Sequence, residues 1–495
     1  MKRLLILILL VLAGCGDSEP EQTPKEVIEQ VNADGTITDQ QAEILSTTKR
    51  LYLSGLKSIT DRQAESLSQV VETLMLNGLT SISDKQAESL SKAKKLFLGR
   101  LTSISDEQAE SLSKVEGLSL NGLATITDPQ AESLSKVKSL VLNGLTSITD
   151  VQAENLGGVI WHLALDGLTS ITDPQAESLS KVERLSLYSL ISITDAQAES
   201  LSKIRALNLN GLTSLTDKQA ESLSKVKGEL HLNGLTTIAD EQAESLSKVE
   251  GYLSLSGLTS ITDAQAESLS KVELLSLSGL TSITDKQAEI LSKHGHFRLS
   301  GLISLTSITD RQSEMLSSYK DIDLSRLANI TDQQAKNLSK VKSSLNLSGL
   351  TLITDQQAEI LSKIEGLLYL NGLTSLTDTQ AESLSRITSL VLNGLTSITD
   401  EQAESLSKVR DISLQGLTSI TDEQAMSLGR VSGILVLSGL TSITDTQAES
   451  LGNVKQLELD GVISISEKQA EHLGKVRILG ISKDLKPLID KYKNQ

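Results

Sequence analysis

The sequence has few of the residues from which catalytic and metal centres are built. Its 495 residues include one cysteine and five histidines, and aromatic residues make up 2% of the chain. A single cysteine excludes intramolecular disulfides and thiolate-rich zinc sites. The scattered histidines leave little material for a metal ligand set or a general base. We therefore expect no metal, no cofactor and no enzymatic activity.

Positive charge is also in short supply. The chain has 46 Lys and Arg residues against 63 Asp and Glu residues, which gives a formal net charge of −17. Nucleic-acid binding needs clustered Lys and Arg to contact phosphates, so this balance argues against a nucleic-acid partner. The sequence has no phosphate-binding loop, no dinucleotide fingerprint, no G-x-S-x-G and no H-E-x-x-H motif.

The N-terminus has the pattern of an export signal. Lys2 and Arg3 precede an apolar run over residues 4–13, which is too short to span a bilayer as a helix. The run ends in L-A-G-C, which resembles the lipobox of bacterial lipoproteins. The resemblance implies that residues 1–14 are a signal peptide and that Cys15 becomes the lipid-bearing first residue. The alternative is a soluble secreted protein in which Cys15 is incidental.

Residues 15–26 are acidic and have no apolar pattern, so they predict a disordered tether between the lipid and the folded body. Gly16 follows the cysteine directly, and the first acid is Asp17. In lipoproteins of diderm bacteria an Asp directly after the cysteine resembles an inner-membrane retention signal. Its displacement by one residue favours the outer membrane, with the body either surface exposed or periplasmic.

A repeat dominates the rest of the chain. An acidic residue recurs at intervals of 22 or 23 residues, with one interval of 25 between Asp285 and Asp310. Such periodicity is typical of repeat proteins, in which stacked units complete one another's core. The twenty positions are Asp39, Asp61, Asp84, Asp106, Asp128, Asp150, Asp173, Asp195, Asp217, Asp240, Asp263, Asp285, Asp310, Asp332, Asp355, Asp378, Asp400, Asp422, Asp445 and Glu467.

The unit over residues 137–156 shows what each position is expected to do. Leucines alternate over residues 140–142, as in a short strand with one buried face, and Gly144 permits the chain to turn away from the strand. Ala153 and Leu156 lie three residues apart and predict one apolar stripe on a two-turn helix.

The start of that helix has two interpretations. Thr149 and Gln152 are spaced as in a capping box, in which Thr149 is the N-cap residue. In other units Pro129 and Pro174 directly follow the Asp, which indicates instead that the Asp is the cap and the proline is the first helical residue.

The motif V-x-x-L-x-L-x-x-L-x-x-I-T-D resembles the leucine-rich repeat, in particular its cysteine-containing subclass, over residues 36–482. The resemblance implies an α/β solenoid with a parallel concave sheet and short convex helices. Here a leucine replaces the Asn or Cys that follows the strand in that family, so apolar packing is expected in place of a hydrogen-bonded ladder. We assign residues 27–482 to the solenoid with its N-terminal cap, and residues 483–495 to a C-terminal cap helix. The replaced positions include Leu123, Leu145, Leu168 and Leu212.

The first three strands carry the strongest candidate for a partner-binding site. Large apolar residues occupy the same exposed strand position there, and basic residues flank them, as in interface anchors. The alternatives are that terminal repeats drift in sequence, or that an N-terminal cap packs over the row. The candidate residues are Arg50, Tyr52, Met75, Lys95, Phe97 and Arg100.

A second, more widely spaced group lies further along the concave face, where aromatic rings would suit sugars. Tyr369 stands apart from it. The group consists of Trp161, His162, Tyr188, His231 and Tyr252.

Two other patterns have simple structural interpretations. Arg298 and Asp323 fall at equivalent positions of adjacent strands, so a cross-strand ion pair explains both. His294 and His296 have no further His or Cys in their unit, which favours a turn over a metal site.

These observations predict a lipid-anchored binding protein of a bacterial cell envelope. It would be a monomer attached to the membrane by its lipid, and it would recognise a protein or a glycan through the concave face. In this it resembles bacterial surface adhesins. The alternative is a periplasmic scaffold that organises envelope components, and the sequence does not separate the two.

Overall fold

The computed structural model describes residues 23–293, 304–482 and 484–493. The described residues form two compact units, the first ending at Ser186 and the second beginning at Leu187. In each unit short strands alternate with short helices, so the predicted α/β repeat is confirmed. A helix begins at each of the twenty predicted acidic positions.

The first unit contains eight helices and seven strands within its described residues. Its helices are α1 Pro24–Asp34, α2 Asp39–Leu45, α3 Asp61–Leu67, α4 Asp84–Leu90, α5 Asp106–Leu112, α6 Asp128–Leu134, α7 Asp150–Leu156 and α8 Asp173–Leu179. Its strands are β1 Arg50–Tyr52, β2 Thr73–Met75, β3 Lys95–Phe97, β4 Gly117–Ser119, β5 Ser139–Val141, β6 His162–Ala164 and β7 Arg184–Ser186.

The second unit contains fourteen helices and twelve strands within its described residues. Its helices are α9 Asp195–Leu201, α10 Asp217–Leu223, α11 Asp240–Leu246, α12 Asp263–Leu269, α13 Asp285–Ser292, α14 Asp310–Leu316, α15 Asp332–Leu338, α16 Asp355–Leu361, α17 Asp378–Leu384, α18 Asp400–Leu406, α19 Asp422–Leu428, α20 Asp445–Leu451, α21 Glu467–Leu473 and α22 Lys486–Asp490. Its strands are β8 Ala206–Asn208, β9 Glu229–His231, β10 Tyr252–Ser254, β11 Leu274–Ser276, β12 Asp321–Asp323, β13 Ser344–Asn346, β14 Leu367–Tyr369, β15 Ser389–Val391, β16 Asp411–Ser413, β17 Ile434–Val436, β18 Gln456–Glu458 and β19 Ile478–Gly480.

All strand pairing is parallel and follows chain order. In the first unit β1 to β7 pair in sequence. In the second unit β8 to β11 form one run and β12 to β19 another. The register aligns equivalent residues of successive repeats, so each repeat position becomes a row of side chains across the sheet.

The core is built from the leucines and alanines that the pattern predicts. In the repeat that contains β5, the leucines at positions 140, 142 and 145 are fully buried. Ala153 and Leu156 of the following helix α7 are fully buried as well. Since one repeat has a single apolar stripe, its burial depends on the repeats stacked on either side.

The leucine that replaces the family's Asn or Cys is buried as expected, but a hydrogen-bonded link between repeats persists nearby. Asn77 Oδ1 accepts a hydrogen bond from the Gly99 backbone N–H at 2.8 Å. Asn143 Oδ1 accepts one from the Asp166 N–H at 3.2 Å. These asparagines lie directly after the second leucine of the strand motif. Hydrogen bonds between repeats are therefore present, but from a different position of the repeat than in the family.

The helix starts follow the capping-box interpretation. Thr149 Oγ1 accepts a hydrogen bond from the Gln152 N–H at 3.1 Å, and Gln152 Oε1 accepts one from the Thr149 N–H at 3.0 Å. The alternative with Asp as the cap is wrong. Pro129 and Pro174 occupy the second helical position, where the missing N–H would have had no partner within the helix.

The same glutamine also joins successive repeats. Gln152 Nε2 donates to the carbonyl oxygen of Ile126 in the preceding repeat at 2.8 Å, and Gln130 donates to Ile104 at 2.9 Å. Equivalent bonds continue as far as Gln469. Each such glutamine therefore satisfies backbone groups in two repeats at once.

The glycine after the strand is required for a different reason from the one expected. Gly35 is the one residue with a positive φ among the described residues, so Gly144 needs no left-handed conformation. A Cβ at Gly144 would lie 2.2 Å from the carbonyl oxygen of Asn121 and 2.6 Å from that of Leu123. Close approach of successive turns therefore excludes a side chain there.

The last residues of the segment predicted as a disordered tether, residues 24–26, belong to a helix. Helix α1 begins at Pro24, with Thr23 as its N-cap in a capping box with Glu26. Val27 and Val31 of this helix are fully buried. The acidic composition that indicated disorder includes a helix-start signal, and burial of the two valines fixes the helix against the first repeat.

At the C-terminus, the predicted cap helix is the five-residue α22. Ile489 is buried, and the Tyr492 hydroxyl donates to Glu467 Oε2 at 2.7 Å. These contacts hold the last segment against α21 and cover the end of the helix layer.

Candidate functional site

The structure places the three large residues of the first strands side by side. Tyr52 of β1 aligns with Met75 of β2, and Met75 aligns with Phe97 of β3. Tyr52 is 48% exposed, and the other two side chains are half-buried. Because their neighbours Leu51, Leu74 and Leu96 point into the core, the three residues form a row on the opposite, exposed face of the strands.

The N-terminal cap leaves this row open. Asn32 of α1 donates through Nδ2 to the Tyr52 carbonyl oxygen at 3.1 Å and accepts through Oδ1 from the Gly55 N–H at 2.8 Å. The cap therefore pairs with the backbone at the edge of β1. The alternative in which the cap packs over the row does not hold, because half of the Tyr52 side chain remains accessible.

The flanking basic residues differ in their partners. Arg50 Nε donates to Glu72 Oε2 at 2.8 Å, and this hydrogen bond lowers the pKa of Glu72 and raises the pKa of Arg50. Lys95 and Arg100 are exposed and have no ion-pair partner in the described part of the chain. Arg100 lies in the turn between Leu98 and Leu101 rather than on the strand.

A depression lies beside the row, on the exposed face of β3, β4 and β5. It has a volume of about 190 Å³ and joins Phe97 of the N-terminal row to Trp161, which directly precedes β6. The structure thus brings together members of two groups that the sequence analysis treated as separate. The residues that line it are Lys95, Phe97, Glu116, Gly117, Leu118, Ser119, Lys138, Ser139, Val141 and Trp161.

Ion pairs form one rim of the depression. Glu116 contacts Lys138 Nζ at 3.2 Å and Lys94 Nζ at 3.7 Å. The hydrogen bond from Lys138, with the charge of both lysines, lowers the pKa of Glu116. The single carboxylate is therefore shared between two lysines, and Lys95 adds a further positive charge.

His162 lies next to Trp161 and is half-buried. Burial, followed by the charge of Arg184, lowers the pKa of His162 below its ordinary value of 6.5, while Asp166 acts in the opposite direction. Ser139 Oγ lies 3.4 Å from His162 Nδ1. The lowered pKa favours the neutral form of the ring, whose Nδ1 faces the neighbouring strand β5 at Ser139.

The remainder of the second aromatic group belongs to the second unit. The rings of His231 and Tyr252 lie 5.3 Å apart with an interplanar angle of 57°. Tyr188 is 54% exposed and lies just after β7 along the chain. The five predicted residues therefore do not form one cluster within either unit.

Several predicted features fall outside the described residues, namely Cys15, His294, His296 and Arg298. The predicted pairing of Arg298 with Asp323 therefore lies outside the described residues, and Asp323 has two partners within them. Its Oδ1 accepts from the Ser325 N–H at 2.9 Å and its Oδ2 accepts from Asn346 Nδ2 at 3.2 Å. Within the described residues no group of three or more His, Cys, Asp or Glu side chains is arranged to hold a metal ion.

The sequence analysis missed the residues that create the depression. Gly117, Ser119 and Ser139 are small, and Gly117 occupies a strand position that carries a side chain in the strands on either side. A glycine inside a strand was the available signal, because it marks a place where a ligand or another backbone approaches closely.

No protein-family model matches the sequence, and no curated protein matches it either. Solved structures do match. A structure of the mouse RP105/MD-1 complex covers 91% of this chain and 89% of the matched chain, at 16% identity and a TM-score of 0.55. The fold is that of a leucine-rich-repeat protein. An internalin (InlF) from Listeria monocytogenes str. 4b F2365 matches 79% of this chain and 95% of its own, at 16% identity and a TM-score of 0.31.

In this leucine-rich-repeat chain, none of the helices within the described residues is both long and apolar enough to cross a membrane.

Proposed function

We propose that this protein binds a partner protein through the exposed strand face of its first unit, and that a lipid on Cys15 attaches it to a bacterial cell envelope. The observation that carries the binding proposal is the open row formed by Tyr52, Met75 and Phe97. Exposed aromatic side chains beside arginine and lysine are typical of the residues that dominate protein interfaces.

The fold supports recognition rather than catalysis. The residues of the row stand on rigid strands whose buried leucines fix their spacing. A preformed surface of this kind binds without the entropic cost of ordering a loop. Glu116 and His162 have shifted pKa values, but the lysines and the burial around them explain both shifts.

The lipid anchor rests on the export signal and on the L-A-G-C motif that ends at Cys15. Two variants test it in intact cells, Cys15→Ala and the matched control Ser18→Ala. Loss of membrane association in Cys15→Ala, with retention in Ser18→Ala, is the expected result. Equal membrane association of the two variants would contradict lipid attachment at Cys15.

Protease treatment of the same intact cells tests display at the surface. Cleavage of the repeat body on whole cells is expected for an adhesin-like protein. Protection until the outer envelope is opened would contradict surface display and favour the periplasmic scaffold.

The binding face is tested by retention of partner proteins on the immobilised chain, followed by titration with the purified partner. We expect Tyr52→Ala combined with Phe97→Ala to abolish retention while the melting temperature changes little, because both side chains lie on the exposed face. Tyr369→Ala is the matched control, since Tyr369 occupies the same strand position in β14. Equal affinity of the double variant and the wild type would exclude the row.

A further inference from the structure

We propose that the depression between Phe97 and Trp161 receives one apolar side chain from an acidic segment of the partner protein. This inference rests on the proposed function and specifies the chemistry of the partner at that face. It commits to a protein segment in which Asp or Glu residues flank a large apolar residue.

The depression exists because β4 carries small residues between two larger neighbours. Gly117 pairs with Lys95 on one side and Ser139 on the other, and Ser119 pairs with Phe97 and Val141. The exposed face of the sheet is therefore recessed along β4 and projects at Phe97. Trp161, 52% exposed, forms the opposite wall.

The size and the walls suit a single apolar side chain. A volume of about 190 Å³ is below the roughly 300–1,000 Å³ that is usual for sites of drug-sized ligands and cofactors. Phe97, Trp161 and Val141 present carbon surface to the interior. Filling this space removes apolar surface of both partners from water, which is the main favourable term in association.

The rim specifies the charge of the flanking residues. Lys95 has no ion pair in the described part of the chain, and Lys94 and Lys138 share the single carboxylate of Glu116. Among the lining residues, the two lysines Lys95 and Lys138 against the one glutamate Glu116 leave a net positive rim on a chain whose overall charge is −17. An acidic segment is complementary to this rim, whereas a basic one is repelled.

The polar groups around the depression favour a protein segment over a sugar. Sugar recognition needs free donors and acceptors that are aimed at ring hydroxyls. Here Glu116 is held by two lysines, and Ser139 Oγ lies 3.4 Å from His162 Nδ1. Ser119 is buried.

Trp161 provides a direct reporter, because it is the single tryptophan of the chain. The probe is a capped five-residue peptide with one phenylalanine flanked on each side by two glutamates, titrated against the full chain at low salt. We expect a saturable change in tryptophan emission with a dissociation constant below about 1 mM. Replacing the phenylalanine of the peptide by alanine, or its glutamates by lysines, should weaken binding about tenfold or more.

The variant Gly117→Val fills the depression without disturbing the backbone. A Cβ at Gly117 meets Lys95 Cγ at 3.4 Å, an ordinary contact with a flexible side chain. We expect this variant to lose at least about tenfold in affinity for the glutamate peptide. Ser344→Val is the matched control at the same position of β13 and should bind as the wild type does. Lys95→Glu should also weaken binding, while Lys455→Glu in the second unit should not.

Three results would overturn the inference. They are the absence of saturable emission change with the glutamate peptide, equal binding of the lysine peptide, and saturation by chitotriose instead of by peptide. The test is separable from that of the proposed function. If a purified partner binds Gly117→Val as tightly as wild type but fails to bind the Tyr52→Ala, Phe97→Ala double variant, the binding face stands and the depression is not its anchor site.

Discussion

The Nε2 of Gln357 donates a hydrogen bond to the carbonyl oxygen of Ile330, 27 residues earlier in the chain, at 2.8 Å. The Oε1 of the same side chain accepts from the Thr354 N–H at 3.0 Å. One amide thus joins two repeats and caps helix α16. Gln357 and Ile330 are both 8% exposed, so the Ile330 carbonyl oxygen has little access to water if the amide is lost.

Replacing this amide should be costly. We expect Gln357→Leu to lower the free energy of unfolding by about 1–3 kcal/mol, because the buried carbonyl oxygen of Ile330 loses its partner and the Thr354 N–H loses its cap bond. Urea unfolding monitored by circular dichroism measures the change. Gln356→Leu in the same helix is the matched control, since Gln356 is exposed. A similar loss in both variants would show that leucine in the helix, not the missing hydrogen bonds, is responsible.

The repeat that contains α11 lacks the capping hydroxyl, so restoring it should raise the stability of the protein. Ala239 stands where neighbouring repeats have a threonine, as at Thr262, and it makes no side-chain cap bond to α11. We expect Ala239→Thr to stabilise the protein by about 1 kcal/mol, through a bond from the Gln242 N–H. Slower hydrogen exchange of that amide would report the gain. Thr262→Ala should show the opposite change, and no effect of either substitution would contradict a capping role.

Gly144, which follows β5, and Gly117, which lies in β4, should differ sharply in their tolerance of a methyl group. We expect Gly144→Ala to destabilise the protein by about 1–3 kcal/mol, because its Cβ would lie 2.2 Å from the Asn121 carbonyl oxygen. Gly117→Ala is the matched comparison, with 3.4 Å to Lys95 Cγ, and should leave the stability near that of the wild type. Thermal unfolding of the two variants measures the difference. Equal melting temperatures would contradict the close approach of turns at Gly144.

His162 should make the first unit sensitive to acid. Burial and the charge of Arg184 lower its pKa in the folded state, whereas the unfolded residue takes up a proton near pH 6.5. Below that pH the unfolded state binds more protons, so stability should fall as the pH decreases from 7 to 5. Titration of the imidazole resonances by NMR measures the pKa. His162→Gln should remove this part of the pH dependence, and a pKa at or above 6.5 would contradict the prediction.

The candidate site shows where prediction from a repeat reaches its limit. The alignment of Tyr52 with Phe97 follows from counting residues, because parallel pairing in register turns equal repeat positions into rows. The proximity of Trp161 to Phe97 does not follow from counting. It depends on the low surface left by Gly117 and Ser119, and on Trp161 lying one residue before the strand.

The helix cap also required the structure. The sequence offered both Thr149 and Asp150 as the N-cap residue. The spacing of Thr149 to Gln152 favoured the threonine, whereas Pro129 and Pro174 in other repeats favoured the aspartate. Backbone geometry decided for Thr149. The second role of Gln152, its bond to Ile126, involves a residue 26 positions away and has no local signal beyond the repetition of the glutamine.

The sequence by itself determined the α/β repeat, the spacing of the twenty repeat helices and the identity of the core leucines, because these depend on local periodicity and on burial that each repeat imposes on the next. The tertiary structure decided which polar groups satisfy each other between repeats, why glycine follows the strand, and where the exposed face is low enough to admit a ligand. These features depend on distances of a few ångströms between residues far apart in the chain, and a repeat pattern specifies the order of residues but not those distances.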